Sequence, residues 1–410
     1  VAQQSFEESR ISRSFNDNTR QRRTENVEAY SMNLDFIKNI SLKNTIYYGG
    51  EYILNDVTSK GRNELIFDSI IQPDSIYAGP SRYPESSWES IAAYVNQEFR
   101  LSRKITFQGG VRYNYFMLES DFSSNANFYP LPFTTAEIDN GALTGSLGVV
   151  YKPTESWVIK SNVGTAFRAP NVDDIGKVFD SEVGTVVVPN PDLEAEYAFS
   201  FDFGIAKGFS DLLKLDLTGY YTVLNNAMVR RDFQISGQDS IVYDGTLSQV
   251  QALQNAAVAN VYGIQAGAEL NLPAGFTFLA DVNYQVGEEE LDDGTTSPSR
   301  HAAPLFGVSR IKYQNSTLTL EFNATYQGEK SHEDLAVSEQ GKSEIYALDK
   351  NDNTYSPAWY SLNFKSMYQF TETFSVSAGV ENITDQRYRP YSSGLSGPGR
   401  NFILSLRAEF

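Results

Sequence analysis

Residues 197–205 alternate without a break. Tyr197, Phe199, Phe201, Phe203 and Ile205 fall on one side of an extended chain, and Ala198, Ser200, Asp202 and Gly204 fall on the other. A period of two is the pleat of a β-strand, because successive side chains point to opposite faces. One face is uniformly large and mostly aromatic, while the other carries a carboxylate. Such a strand has two homes. In a soluble sandwich the rings meet a second sheet. In an outer-membrane barrel they face lipid, and the polar side faces a water-filled or plugged lumen.

The pattern recurs along the chain. Strands are expected near 26–36, 42–57, 87–100, 104–118, 140–152, 156–167, 195–206, 212–225, 259–272, 275–286, 301–314, 317–328, 357–369, 374–383 and 398–410. Leu213, Leu215 and Leu217 oppose Lys214, Asp216 and Thr218, and Tyr360, Leu362, Phe364 and Tyr368 oppose Ser361, Asn363, Lys365 and Gln369.

The connections discriminate better than the strands. Short ones are expected near 38–40, 101–103, 153–155, 208–211, 273–274, 315–316 and 371–373. Long polar ones at 58–86, 119–139, 168–194, 226–258, 287–300, 329–356 and 384–397 alternate with them. Long structureless connections are uncommon in compact domains. Lengthening every second one trims one end of a sheet and elaborates the other. That asymmetry predicts an all-β, antiparallel, up-and-down transmembrane barrel with short periplasmic turns and long extracellular loops. No blade-length repeat supports a propeller, and no amphipathic helices separate the strands as an α/β fold requires.

Composition agrees. Tyr and Phe number 25 and 26 against 3 Trp, which suits aromatic girdles at a membrane interface. No apolar run approaches the roughly 18 residues of a spanning helix. The net charge of −18 excludes nucleic acid as a partner, since a phosphate backbone needs a basic footprint. Without cysteine there are no disulfides, thiol catalysis or Cys-based zinc sites. The chain starts at Val1 without a leader, so a processed or truncated N-terminus is expected. Residues 1–25 mix Arg10, Arg13, Arg20, Arg22 and Arg23 with Glu and Asn and show no periodicity. They read as a polar extracellular loop or tail ahead of a barrel at 26–410, with a basic binding site as the functional alternative. At the other end Phe402, Leu404, Leu406, Ala408 and Phe410 alternate with Ile403, Ser405, Arg407 and Glu409. A last strand closing on a ring resembles the assembly signal of bacterial outer-membrane proteins.

Three segments then resemble the TonB-dependent receptor family in its C-terminal barrel. They are Thr165-Ala166-Phe167-Arg168-Ala169-Pro170-Asn171, then Asn190-Pro191-Asp192-Leu193-Glu194-Ala195-Glu196, and Glu381-Asn382-Ile383-Thr384-Asp385-Gln386-Arg387-Tyr388 with Gly399-Arg400-Asn401-Phe402 and Phe410. The resemblance implies localisation in the bacterial outer membrane. It also implies a barrel of roughly 22 strands around an N-terminal plug. About 15 strands are readable here, so the first corresponds to about the eighth of such a barrel. The plug, the segment that touches the TonB complex and about seven strands are expected to lie outside this sequence. An unpaired sheet edge is not viable in lipid, so this piece alone is not expected to transport.

The motifs have their own physics. Pro170 drives Ala169 out of the helical region and stops the strand after Arg168. Asn190-Pro191-Asp192 is turn chemistry that launches the next strand. On one reading both boxes, Phe167-Arg168-Ala169-Pro170 and Asn190-Pro191-Asp192-Leu193, are structural and fix a loop base, with Arg168 paired to a carboxylate such as Asp173, Asp174 or Glu194. On the other, Arg168, Asn171 and Asp173 help hold an anionic ligand, together with Arg230 and Arg231 in the loop after strand 212–225. The two boxes also resemble those of the haem-uptake branch, which typically carries a ligating histidine between them. Residues 171–189 contain neither His nor Tyr, so haem is only a candidate, and a siderophore or another scarce nutrient too large for porins is equally open. His301 reads as structural at the start of a strand, and His332, beside Glu333 and Asp334, as a solvated loop residue. No nucleophile–base constellation, metal motif or phosphate loop appears, and no cofactor is implied. The expectation is the barrel portion of an active-uptake receptor for a scarce, iron-bearing small molecule. A passive porin or structural surface barrel is the alternative.

Overall fold

The computed structural model describes residues 1–13, 17–67, 70–180, 184–243, 245–291 and 294–409. Phe410, the expected terminal ring, lies outside them. Sixteen strands form the wall: Ala2–Ser12, Thr19–Ser41, Asn44–Phe67, Glu85–Arg100, Ile105–Asp121, Thr135–Tyr151, Trp157–Arg168, Glu196–Phe209, Leu213–Asp232, Thr246–Leu272, Phe276–Glu290, Phe306–Gln314, Leu318–Gln327, Trp359–Gln369, Phe374–Glu381 and Asn401–Ala408. Each pairs antiparallel with the next, as an up-and-down meander. Short strands in the connections bring the sheet to 21 strands. Among the described residues no pairing joins Ala2–Ser12 to Asn401–Ala408.

The two faces divide as the alternation predicts. Phe199, Phe201 and Phe203 stand outward at 43–45% exposure, with no second layer over them among the described residues. Phe36, Tyr48, Tyr221, Tyr262, Tyr360 and Phe364 are exposed in the same way. Within this outer skin rings stack across strands, Phe36 on Tyr48 at 5.3 Å and Tyr221 on Tyr262 at 6.2 Å. The inner face is tied by polar rungs. The Ser200 and Thr222 hydroxyls lie 2.9 Å apart, Asn363 Nδ2 donates to Asn323 Oδ1 at 2.8 Å, and Tyr220 donates to Asn283 at 3.1 Å. Rings outside and hydrogen-bonded polar groups inside are what hydrocarbon and an aqueous lumen require. The fold is an all-β transmembrane barrel wall.

One rim is trimmed. Ser41 and Asn44 pair across a two-residue turn at 42–43, three residues beyond the expected one. At Pro273–Gly275 the chain turns through left-handed Ala274 (φ 62) and Gly275 (φ 85). A Cβ on Gly275 would sit 2.3 Å from the Gln314 carbonyl oxygen, so only glycine closes this turn.

The other rim departs from expectation in an instructive way. Several long connections are largely strand: Asn44–Phe67 and Thr246–Leu272 run 24 and 27 residues. Above the lipid both faces of a strand are wet, so the ladder continues without an alternating signal. For the same reason the described residues of 1–25 are mostly strand. Ala2–Ser12 is a strand, exposed along nearly its whole length, in register from Ala2↔Ser31 to Ser12↔Gln21. Arg230 and Arg231 lie in the strand Leu213–Asp232 rather than in a loop, opposite Leu253 and Ala252. His301 occupies a turn ahead of Phe306–Gln314. Thr185–Val188 runs parallel to residues 249–252, a departure from pure antiparallel pairing.

Candidate functional site

The elaborated rim is a packed assembly, and its hub is Arg168. The strand Trp157–Arg168 ends there, Ala169-Pro170 breaks the ladder, and a short helix, Val172–Gly176, follows at once. Asn171 caps it. Its Oδ1 accepts from the backbone N–H of Asp173 at 2.8 Å and of Asp174 at 3.1 Å. Asp174 Oδ2 returns a bond to the Asn171 N–H at 3.0 Å, completing a capping box. Arg168 Nη2 donates to both oxygens of Asp174 at 2.7 Å, and Nη1 donates to Glu196 Oε2 at 3.2 Å. Both carboxylates are about 10% exposed, so they are held where solvent screens them little.

Glu196 carries the linkage to the next hairpin. Its Oε1 accepts the Met228 N–H at 2.5 Å. Met228 follows a bulge in Leu213–Asp232, where the register shifts between Leu224 and Met228 and Asn226 is left-handed (φ 56). A bulge leaves backbone groups out of the ladder. Glu196 satisfies one, and Asn255 satisfies another by donating Nδ2 to the Asn226 carbonyl at 2.9 Å. Asn255 also bridges both backbone groups of Glu194, at 2.7 and 2.9 Å. Asn190 donates to the Leu253 carbonyl at 2.7 Å and accepts from the Asp192 N–H at 3.1 Å, which sets the turn at Pro191. The second box is therefore stapled to both of these strands, and the first is tied to the second through Arg168 and Glu196.

Beneath these bonds lies an apolar core. Phe116, Leu118, Phe122, Ile138, Val172, Ile175 and Leu193 are buried together, with Phe167 and Ala169 against them. Phe167 stacks on Phe116 at 6.2 Å. A second cluster, Val186, Val188, Ile235, Ile241 and Val250, packs the neighbouring hairpins. Tyr83, from a separate connection, donates to Asp173 Oδ1 at 2.7 Å, and Lys177 approaches the same carboxylate at 3.4 Å. Burial, reinforced by the bond to Asp173, pushes the Tyr83 hydroxyl up to about 12. Burial alone would raise Asp173, but Tyr83 and Lys177 outweigh it and hold its carboxyl below the usual range.

Further round the rim is a cavity of about 490 Å³ between the connections 328–358 and 382–400. Trp359 and Tyr388, stacked at 4.3 Å, line it with Tyr346, Arg387 and Arg389. Arg389 Nη1 is bonded to the carbonyls of Glu344 and Ile345 at 2.7 and 3.0 Å. Beside it Glu339, fully buried, is held by Lys342 at 2.7 Å, the Tyr346 hydroxyl at 2.8 Å and Arg300 at 3.0 Å. His332 Nδ1 lies 3.0 Å from the Thr354 carbonyl oxygen. Among the described residues no cluster of potential metal ligands forms.

The structure thus brings Arg168, Asn171 and Asp173 together with Asn190, Asp192 and Leu193. Arg231 lies apart, its Nη2 3.4 Å from the Glu290 carbonyl oxygen. Glu196, Asn255, Tyr83 and the aromatic cavity were not singled out from sequence. Glu196 had a signal only in closing the second box, since its place opposite Arg168 comes from the strand register. Asn255 had none.

Residues 2–383 match the family described as TonB dependent receptor-like, beta-barrel. The chain is 20% identical over 396 residues to an iron-regulated outer membrane virulence protein of Vibrio cholerae, covering 93% of this chain and 54% of that protein. It is 24% identical over 377 residues to the ferric enterobactin receptor PirA of Pseudomonas aeruginosa, covering 87% and 46%. In structure it resembles the copper transporter OprC, with a TM-score of 0.71 at 14% identity over 96% of this chain and 57% of that one. The chain spans about half the length of the curated relatives it matches.

Proposed function

Because this chain belongs to the TonB-dependent receptor-like β-barrel family, an outer-membrane family of receptors and transporters rather than enzymes, we propose that it forms the barrel wall of a receptor for active uptake of a scarce nutrient. The ligand proposed is an iron-bearing small molecule, a siderophore or haem. One relative above is an iron-regulated outer membrane protein and the other a ferric enterobactin receptor, which supports that choice. Transport in this proposal requires a plug within the lumen and the TonB complex beneath it.

The asymmetry of the two rims carries the reading. Turns as short as two residues close the periplasmic side, while the extracellular side is built into a packed cap that includes a cavity of about 490 Å³. A cavity of that size lies in the range of small-molecule sites, roughly 300–1,000 Å³. Passive permeation needs no such cap. In this proposal Arg168, Asn171 and Asp173 fix the cap's shape, and Arg230 and Arg231 stand at its edge toward the ligand.

The test is uptake of radiolabelled ferric siderophore and of haem by cells whose only receptor is the product of the complete gene, with and without TonB. Energy-dependent accumulation that disappears without TonB is expected. Accumulation independent of TonB, with steady conductance in a planar bilayer, would establish the porin reading instead.

A further inference from the structure

The charge of this acidic chain is unevenly placed. Within four residues of the first four short turns, 42–43, 101–104, 152–156 and 210–212, stand nine Lys or Arg against four Asp or Glu. Around the next three, 273–275, 315–317 and 370–373, one cation stands against three acids. One sector of the trimmed rim is therefore basic, although the net charge is −18. Of its carboxylates, Glu98 is already taken by Arg100 at 2.8 Å. The basic turns form a continuous arc. The Arg100 N–H donates to the Lys43 carbonyl and the Lys152 N–H to the Lys104 carbonyl, both at 2.7 Å, and the Gly208 N–H donates to the Ser156 carbonyl at 2.8 Å.

This arc lies where hydrocarbon gives way to headgroups. Lys207 faces the same way as Phe203 and Ile205, and its ammonium stands between Trp157 and Phe209, 4.5 and 4.6 Å from the ring centres. From Tyr197 down to Lys207 the lipid-facing run is about 34 Å long at roughly 3.4 Å per residue. A strand tilt of about 40° makes that about 26 Å of height, which matches an apolar band of roughly 25 Å. Cations at this level thus reach outward among the interfacial rings.

Above the turns at 42–43 and 101–104 the same outer face is hollowed. Tyr48, Val95 and Val111 share one rung, and Phe99 and Phe107 share another close to the turns. Between them runs the rung of Gln97, Gly109 and Leu147, where glycine leaves no side chain at the centre. The result is a groove of about 640 Å³ walled by Val95, Val111, Phe99, Phe107 and Leu147, with Asn44 at its foot. Lys43, Arg103 and Lys104 lie exposed just beneath it. A group in the lumen cannot reach this outer face, and water does not fill it at that depth.

We infer that the groove and the turns beneath it seat an anionic phospholipid of the inner leaflet. One acyl chain lies in the groove, and the headgroup phosphate meets Lys43, Arg103 and Lys104. Clustered cations beside a membrane attract anionic headgroups. A zwitterionic headgroup is disfavoured, because its own ammonium opposes the same cations.

The experiment reconstitutes the product of the complete gene in phosphatidylcholine vesicles with or without phosphatidylglycerol. Thermal melting and the phospholipid retained after detergent extraction, identified by native mass spectrometry, are the readouts. Phosphatidylglycerol is expected to raise the melting temperature by several degrees and to be retained at least fivefold over phosphatidylcholine. Arg103→Gln with Lys104→Gln removes most of that preference, whereas Lys312→Gln, near a turn outside the arc, leaves it intact. Leu147→Trp fills the groove from its edge and lowers retention of both lipids. Equal retention of the two lipids by the unaltered protein overturns the proposal, and so does a preference undiminished in Arg103→Gln/Lys104→Gln. Displacement by millimolar inorganic phosphate, beyond that by chloride at equal ionic strength, would reveal a free-anion site and overturn it too. None of these readouts involves uptake, so the outcome is independent of the transport reading.

Discussion

Arg168 and Glu196 face one another on the same rung of the antiparallel pair Trp157–Arg168 and Glu196–Phe209, and the guanidinium joins them at 3.2 Å. The arginine ends one strand and the glutamate begins the next, so the bond closes the mouth of the connection between them. Replacing Arg168 by Met leaves Asp174 and Glu196, each about 10% exposed, without their cation. Stranding such carboxylates costs on the order of 1–3 kcal/mol. Thermal melting and hydrogen exchange at residues 172–176 will show the loss, and Arg168→Met combined with Glu196→Gln will recover part of it. Arg168→Lys retains charge but cannot reach both carboxylates in the same geometry, and falls between.

The capping box gives a sharper local test. Asn171 satisfies two N–H groups of a helix too short to hold itself together. Asn171→Ala is expected to cost about 1 kcal/mol. Exchange at Asp173 and Asp174 accelerates, while protection in the wall strands is unchanged. Uniform acceleration across the chain would show that the helix is instead part of the global folding unit.

The pair Tyr83 and Asp173 makes the cap sensitive to pH at both extremes. Tyr83 is raised from its ordinary value of 10.0 to about 12, so in that window the unfolded chain has lost a proton the folded chain keeps. Stability falls as pH rises from 10 toward 12. Asp173 is depressed below its ordinary 3.8, so its contribution is present above that pH and is lost as pH drops below it. Tyr83→Phe is expected to remove this group's share of the alkaline loss and to shift the acid limb toward higher pH. Melting temperatures measured across both limbs read the two effects separately.

The wall was legible because lipid writes a two-residue period into the sequence. Phe199, Phe201 and Phe203 announce their strand without help. The rim was less legible because nothing there faces hydrocarbon. Arg10 and Arg23 read as a mixed-charge segment, though they sit on paired strands. Arg230 and Arg231 read as loop, though the ladder reaches past them. The partners of Arg168 show the same boundary. Asp174 lies within reach by sequence proximity, whereas Glu196 comes into reach only through strand register, and Glu194, two residues earlier, instead meets Asn255. Sequence boxes marked where the rim is built but not which atoms join it.

The outward rings provide the last test, because they carry the assignment of faces. Phe201 lies mid-strand between Val163 and Tyr221, 45% exposed, with Ser200 beside it on the inner face bonded to Thr222. Arginine at a lipid-facing position near the bilayer midplane costs about 2–4 kcal/mol, and less toward the interfaces. Phe201→Arg is therefore expected to lower the unfolding free energy in lipid vesicles by an amount in that range. Ser200→Ala removes one uncharged hydrogen bond from the inner face, a change of about 0.5–1.5 kcal/mol. The ordering matters more than either value. In a soluble sandwich the outward position would be solvent and Phe201→Arg would be neutral or stabilising, whereas in hydrocarbon it must be the more damaging change. Repeating the pair in vesicles of thinner lipid sharpens the contrast, since moving residue 201 toward the interface reduces the arginine penalty and leaves the Ser200 effect unchanged.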